Sequence, residues 1–245
     1  MEGGIQFILV ALVTLCASYI QSVTGFGFGI FAMIFLPKIL LYTEASLLSS
    51  MLSTVTSLVV MVLAFRKISW KNLIFPVMGC LASTFFAVSF IKMQKDDTLT
   101  LLLGIALLLL SLYFFFFSDK IKIKPTWYTG LFVGVLSGIL DGMFAIGGPP
   151  VVIYYMQSEK DSDSYMATLS TYFVFLGVVS SGSKCISGFG TVTVWISLAV
   201  ALIALAVGAF VGKLTRERIK PSLIKKCVYG VMVFSGISNI ITALL

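Results

Sequence analysis

The chain has 245 residues, of which 59% are hydrophobic and 11% charged, with a formal net charge of +7. A mean hydropathy of +1.07 lies outside the soluble range and excludes an ordinary globular domain. It leaves an all-α polytopic membrane protein, whose Lys and Arg read as loop residues on one membrane side rather than as a nucleic-acid surface.

The start, Met1-Glu2-Gly3-Gly4, lacks a basic region, so the first apolar run is expected to belong to the fold and not to a signal peptide. Apolar segments then cover roughly 5–23, 26–40, 45–65, 72–91, 98–117, 127–141, 145–157, 164–184, 192–212 and 222–244. Most approach the 20 or so residues that cross a hydrocarbon layer about 30 Å thick. Trp70, Trp127 and Trp195 fall near segment ends, as interfacial aromatics do. Glu44 and Arg66 bracket one segment and read as interface residues.

The opening stretch is too long for one helix. Residues 3–37 as a continuous helix would reach about 50 Å. Inside it sits Ser22-Val-Thr-Gly-Phe-Gly-Phe-Gly29, which breaks the pattern. The second break reads Gly142-Met-Phe-Ala-Ile-Gly-Gly-Pro-Pro150. The short charged stretch Asp119–Lys124, followed by Pro125, marks the expected join. It divides the chain into a first transmembrane repeat, 1–120, and a second, 121–245. Gly27 corresponds to Gly147, and Ala45 to Ala167, at an offset drifting from about 120 to 122; a period of this size is a domain-scale duplication.

Charge chooses the path of the opening units. If each folds back as a hairpin, 13 of the 17 basic residues share one side and Lys38, Lys92, Lys95 and Lys184 lie on the other. A single crossing gives ten against seven, so the positive-inside bias favours hairpins. Each half then has a broken-helix hairpin followed by three transmembrane helices. Three crossings invert the second repeat relative to the first and leave both termini outside.

A helix broken at membrane depth survives only where it lines a cavity or packs within protein, and matched breaks in two halves point to a transporter's substrate site. Short helices starting at the breaks would aim free backbone N–H groups at a central anion. The candidate substrate-binding residues are Gln21, Ser22, Thr24, Gly25, Phe26, Gly27, Phe28 and Gly29, with Ile146, Gly147, Gly148, Pro149 and Pro150. The competing reading is close helix packing, which small residues also serve.

Asp141 is an acid deep in an apolar run, where carboxylates are costly and usually functional. It fits a proton-coupling residue and equally a helix cap. Lys184 fits a partner for Asp141 or the anion, and fits better a lysine snorkelling to the interface. No histidine is present and Cys16, Cys80, Cys185 and Cys227 have no ligand spacing, so no zinc site or cofactor is called for; the thiols read as small buried apolar groups. Enzyme motifs such as HExxH, GxSxG and a Walker loop are absent from the sequence.

Thr24-Gly-Phe-Gly-Phe-Gly-Ile30 running to Leu36-Pro37 resembles the first signature of the TauE/SafE sulfite-exporter family. Gly138-Ile-Leu-Asp-Gly142 running to Ile146-Gly-Gly-Pro-Pro-Val151 resembles the second. The resemblance implies a multi-pass carrier of a bacterial or archaeal inner membrane that moves sulfite, sulfonates such as sulfoacetate, or related oxyanions such as thiosulfate. It carries over Gly25, Gly27, Gly29, Gly147 and Gly148 as motif positions, while Pro149 stands where many relatives have glycine. The expected function is secondary transport by alternating access, coupled to protons. A passive anion channel and a non-transporting membrane subunit remain the alternatives. Glycine-rich helix faces permit a homodimer.

Overall fold

The computed structural model describes residues 3–116, 124–215 and 221–244. Of the expected join at Asp119–Lys124, residues 119–123 lie outside the described residues, as do Arg216, Arg218 and Lys220. Among the described residues, every regular element is helical. The helices are α1 (Gly3–Thr24), α2 (Phe28–Phe35), α3 (Tyr42–Leu63), α4 (Trp70–Lys92), α5 (Asp96–Phe116), α6 (Trp127–Phe144), α7 (Gly148–Ser158), α8 (Ser162–Ile186), α9 (Val192–Thr215) and α10 (Pro221–Leu244). Seven of them, α1, α3–α6, α8 and α9, are long and apolar enough to cross a membrane.

The surface is apolar where a soluble protein would be polar. Leu63, Phe86, Phe132 and Ile203 are exposed, whereas Ser46, Ser49, Ser137, Thr168 and Ser180 are fully buried. This inversion follows from hydrocarbon as solvent, since unpaired polar groups there are costly.

Both breaks fall where glycine geometry ends a helix. Gly25 and Gly27 have φ of 85° and 102°, a left-handed region that stops α1 and sets the N-cap of α2. The α2 stretch ends in a 3-10 turn, Leu36–Lys38, containing Pro37. It runs back along α1, because Gln6 Nε2 donates to the Ile39 carbonyl at 3.3 Å. At the second break α6 ends on Ala145, which is left-handed (φ 55°) despite its side chain. Its N–H reaches Asp141 O at 2.8 Å and the Ile146 N–H reaches Leu140 O at 3.3 Å, closing the last turn. The chain then doubles back, bringing the Tyr154 hydroxyl of α7 beside Gly130 near the start of α6. Pro149 and Pro150 open α7 rather than interrupting a helix, because first-turn N–H groups have no intrahelical partner to lose.

Tight seams hold the bundle. Gly130, Gly134, Gly138 and Gly142 recur every fourth residue on α6 and lie against Phe75, Pro76, Cys80 and Thr84 of α4, the two helices running in the same direction. The same small-residue packing joins α1 to α9, with Gly208 against Leu15 and Gly212 against Tyr19. In contrast, α3 and α8 are antiparallel: Ser46 faces Lys184, and Ser50 faces Ser180. Gly104 meets Gly236 and the Phe114 ring stacks on Tyr229 at 4.6 Å, so α5 and α10 are antiparallel too.

The connections are tied together at both ends. At one end Ser69 donates its hydroxyl to Glu159 at 2.6 Å, Asn72 Nδ2 donates to Glu159 at 2.9 Å, and Lys67 pairs with Asp163. At the other, the Thr191 hydroxyl donates to Glu44 at 2.5 Å. Glu44 is therefore buried rather than interfacial, because it also accepts from Leu41 N–H at the start of its own helix. Trp70, Trp127 and Trp195 sit exposed in the first turns of α4, α6 and α9. Among the described cysteines, Cys80 is buried but Cys16 is exposed on the apolar exterior, where a thiol is tolerated beside hydrocarbon.

Candidate functional site

The two breaks meet. Phe26 at the first lies against Gly148 at the second, 3.7 Å from where a Cβ would stand. Gly29 packs directly on the Ala145 carbonyl oxygen and leaves no room for a side chain. The starts of α2 and α7 thus face one another inside the protein, and Phe26, Phe28, Ile146, Pro149 and Pro150 are all buried there. The two ends differ in chemistry. The first turn of α2 carries the amides of Phe28, Gly29 and Ile30, whereas Pro149 and Pro150 have no N–H to offer.

The polar residues of the first break bond elsewhere in the protein. Gln21 Nε2 donates to Ser57 of α3 at 3.0 Å, and Ser22 donates to Ala209 O of α9 at 2.9 Å. Thr24 Oγ1 reaches Ile20 O at 2.8 Å and Phe26 O at 2.6 Å, tying the end of α1 to the turn. These contacts hold the break in place. Gly25 (φ 85°) sits under the Met166 sulfur, 2.6 Å from its virtual Cβ.

Beneath the second break lies a buried cation. Lys184 does not snorkel: it is 0% exposed. Its ammonium reaches Ser50 Oγ at 2.8 Å, the Asp141 carbonyl at 3.2 Å and the Ser46 carbonyl at 3.5 Å. Lys184 sits in the last turn of α8 with Ser180 one turn back, both turned towards α3. Asp141 is 9% exposed and close by, yet it makes no ion pair with Lys184 within 4.0 Å. Its Oδ2 has no hydrogen-bond partner. The Gly147 position is pressed against the Asp141 side chain, with a virtual Cβ only 2.8 Å away. Ser137 donates to Gly147 O at 2.5 Å and fixes the turn.

Other buried polar atoms lack partners too, among them Ser46 Oγ, Ser49 Oγ, Thr84 Oγ1 and the Tyr155 hydroxyl. Native interiors satisfy such atoms almost always, so each of these calls for an explanation. Sequence reasoning found both breaks, Asp141 and Lys184. It missed the α3 serines, although Ser46, Ser49 and Ser50 share a face at i, i+3 and i+4.

The family model described as Sulfite exporter TauE/SafE matches residues 10–239. A protein of Cupriavidus necator named "Probable sulfite/organosulfonate exporter TauE" is 23% identical over 246 residues, covering 98% of this chain and 94% of its own length. No solved structure matches significantly.

Proposed function

Because the chain belongs to the Sulfite exporter TauE/SafE family, whose members are membrane transporters and not enzymes, we propose that it is a secondary transporter for a small sulfur-containing oxyanion. The Cupriavidus necator relative is named for sulfite and organosulfonates, and thiosulfate is a further oxyanion of the same class. The observation that carries the reading is the meeting of two glycine-broken units beside the fully buried Lys184. A buried ammonium and the N–H groups at the start of α2 together form an anion-attracting centre.

The transport cycle we propose uses two inverted repeats, 1–120 and 121–245, rocking around this centre. The antiparallel pairing of the corresponding helices α3 with α8, and α5 with α10, supports inversion. So does the equivalence of the α1–α9 and α6–α4 seams. The loops rich in Lys and Arg then face the cytoplasm of a bacterial cell, with both termini outside the inner membrane.

Asp141 supplies the coupling in this scheme. One ammonium in a low-dielectric setting does not balance two anions. Substrate therefore enters as Asp141 takes a proton, and anion and proton travel together. Transport by Asp141→Asn with an unchanged pH dependence would sink this coupling.

The first experiment is thermal unfolding of the purified chain in detergent against a panel of small anions. A ligand at 100 times its dissociation constant stabilises by roughly 2.7 kcal/mol. A rise with sulfite or a sulfonate, lost on Gly29→Leu, is the expected result. Flux through proteoliposomes separates carrier from channel, since a passive channel gives large single-channel currents. No response to any anion, together with fixed co-purifying partners, would favour a non-transporting subunit.

A further inference from the structure

We propose that Ser46, Ser49 and Ser50 of α3 are direct ligands of the transported oxyanion, completing its site with Lys184. This rests on the carrier reading above and names the side chains that hold the substrate within it.

Three observations converge on these serines. They occupy one face of α3 at helical spacing, and all are at most 3% exposed. Ser50 donates or accepts across the bundle, touching Lys184 Nζ at 2.8 Å and Ser180 Oγ at 3.4 Å. Ser46 Oγ and Ser49 Oγ are buried with no partner at all. A buried hydroxyl with nothing to bond is destabilising, and alanine would fill the same space without that cost. Two such hydroxyls within one helical turn are therefore best explained by a ligand that pairs with them.

Their surroundings define the ligand's chemistry. Ser46 also brings its backbone carbonyl to 3.5 Å from Lys184 Nζ, a contact long enough to yield to a better acceptor. Ser49 Oγ lies 3.8 Å from the virtual Cβ of Gly29, beside the amides that open α2. An acceptor placed among them would meet an ammonium, hydroxyl O–H donors and helix-start N–H groups from three directions. That arrangement suits a compact group with several oxygens on one atom, as in sulfite or the head of a sulfonate. A halide has no separate oxygens to distribute among directional donors, and a planar carboxylate has only two. Gly29 packs closely on Ala145 and Gly147 on Asp141, which favours a small ligand.

The test uses the full chain in detergent, with sulfite, methanesulfonate and thiosulfate as probes and chloride and acetate as comparison anions. The double variant Ser46→Ala/Ser49→Ala is expected to unfold at the wild-type temperature or higher without ligand, because it removes unpaired hydroxyls. Its response to sulfite or methanesulfonate should move to at least tenfold higher concentration. Ser197→Ala removes another fully buried, unpartnered hydroxyl on α9 and should leave the anion response unchanged. Lys184→Gln should abolish the response.

A double variant that responds at wild-type concentrations would overturn the assignment and give the hydroxyls to packing or to bound water. A wild-type chain that ignores every probe would overturn the carrier reading itself, so the two failures are distinguishable. An equal loss in Ser197→Ala would also overturn the assignment, by tracing the effect to general loosening of the bundle.

Discussion

Gly29 and Ala145 touch backbone to backbone, although 116 positions separate them in the chain, and neither a methyl group nor a water fits between Gly29 Cα and the Ala145 carbonyl. This contact joins the two breaks, and its neighbours allow steric effects to be told from conformational ones. Gly29 has ordinary helical geometry, so Gly29→Ala fails through overlap alone. It is expected to lower stability by about 1–3 kcal/mol and to stop anion flux, as inserted methyl groups do in filled interiors. Thermal unfolding and proteoliposome flux check both parts.

Gly27 presents the opposite case. A Cβ there finds its nearest neighbour, Ile20, at an ordinary 3.5 Å, but φ is 102°. Gly27→Ala should cost about 1–2 kcal/mol through backbone strain. Ala145 already bears a related strain at φ 55°. Ala145→Gly should relieve it and raise stability by up to about 1 kcal/mol, less the entropy that glycine adds to the unfolded chain. An unfolding series over these variants reads out the signs.

The seam between α4 and α6 gives a second contrast. A side chain at Gly134 would overlap the Pro76 carbonyl, so Gly134→Ala should destabilise by about 1–3 kcal/mol. Gly182 on α8 has nothing within 4 Å of its virtual Cβ and helical geometry. Gly182→Ala should stabilise by about 0.5–1 kcal/mol, the usual gain from removing glycine inside a helix. Opposite shifts in midpoint from the same chemical change are the result to look for.

Acid should loosen the start of α8. Asp161 caps it, accepting from Ser164 N at 2.9 Å, Asp163 N at 3.0 Å and Ser164 Oγ at 3.0 Å. The backbone N–H of Ser164, more than any other group, holds the Asp161 carboxyl below its usual range. A carboxyl depressed in the folded state contributes stability above its unfolded value, about 3.9, and loses it as pH falls through the folded value. The loss therefore belongs below about pH 4. Asp161→Asn keeps a capping oxygen without the titration, so its stability should fall less steeply over that range. Unfolding midpoints of the two proteins between neutral pH and pH 3 test this.

The parts of the architecture legible in the sequence were those fixed by local physics. Membrane helices follow from unbroken apolar length, and the breaks follow from glycine, which alone adopts the backbone angles at Gly25 and Gly27 without strain. Pro149 and Pro150 pointed to the second break but not to their role, since proline ends a helix it follows and begins one it heads. Lys184 ends an apolar segment of the sequence, the position from which a lysine snorkels. Its actual partners, Ser46 and Ser50, stand 138 and 134 residues away. Glu44 misled for the same reason, as the Thr191 hydroxyl it accepts lies 147 residues on. Burial of a charge is decided by tertiary partners, and those have no local signature. The α3 serines do have one, the i, i+3, i+4 spacing.

Ser69 and Thr191 stand 122 positions apart, the same offset that aligns Ala45 with Ala167, and each hands its hydroxyl to a glutamate from the other half of the chain. The bundle is thus bolted at both ends, by Glu159 on one and Glu44 on the other. Drawing one bolt leaves the other in place. A mutation at either glutamate therefore loosens its own end and leaves the far end fastened.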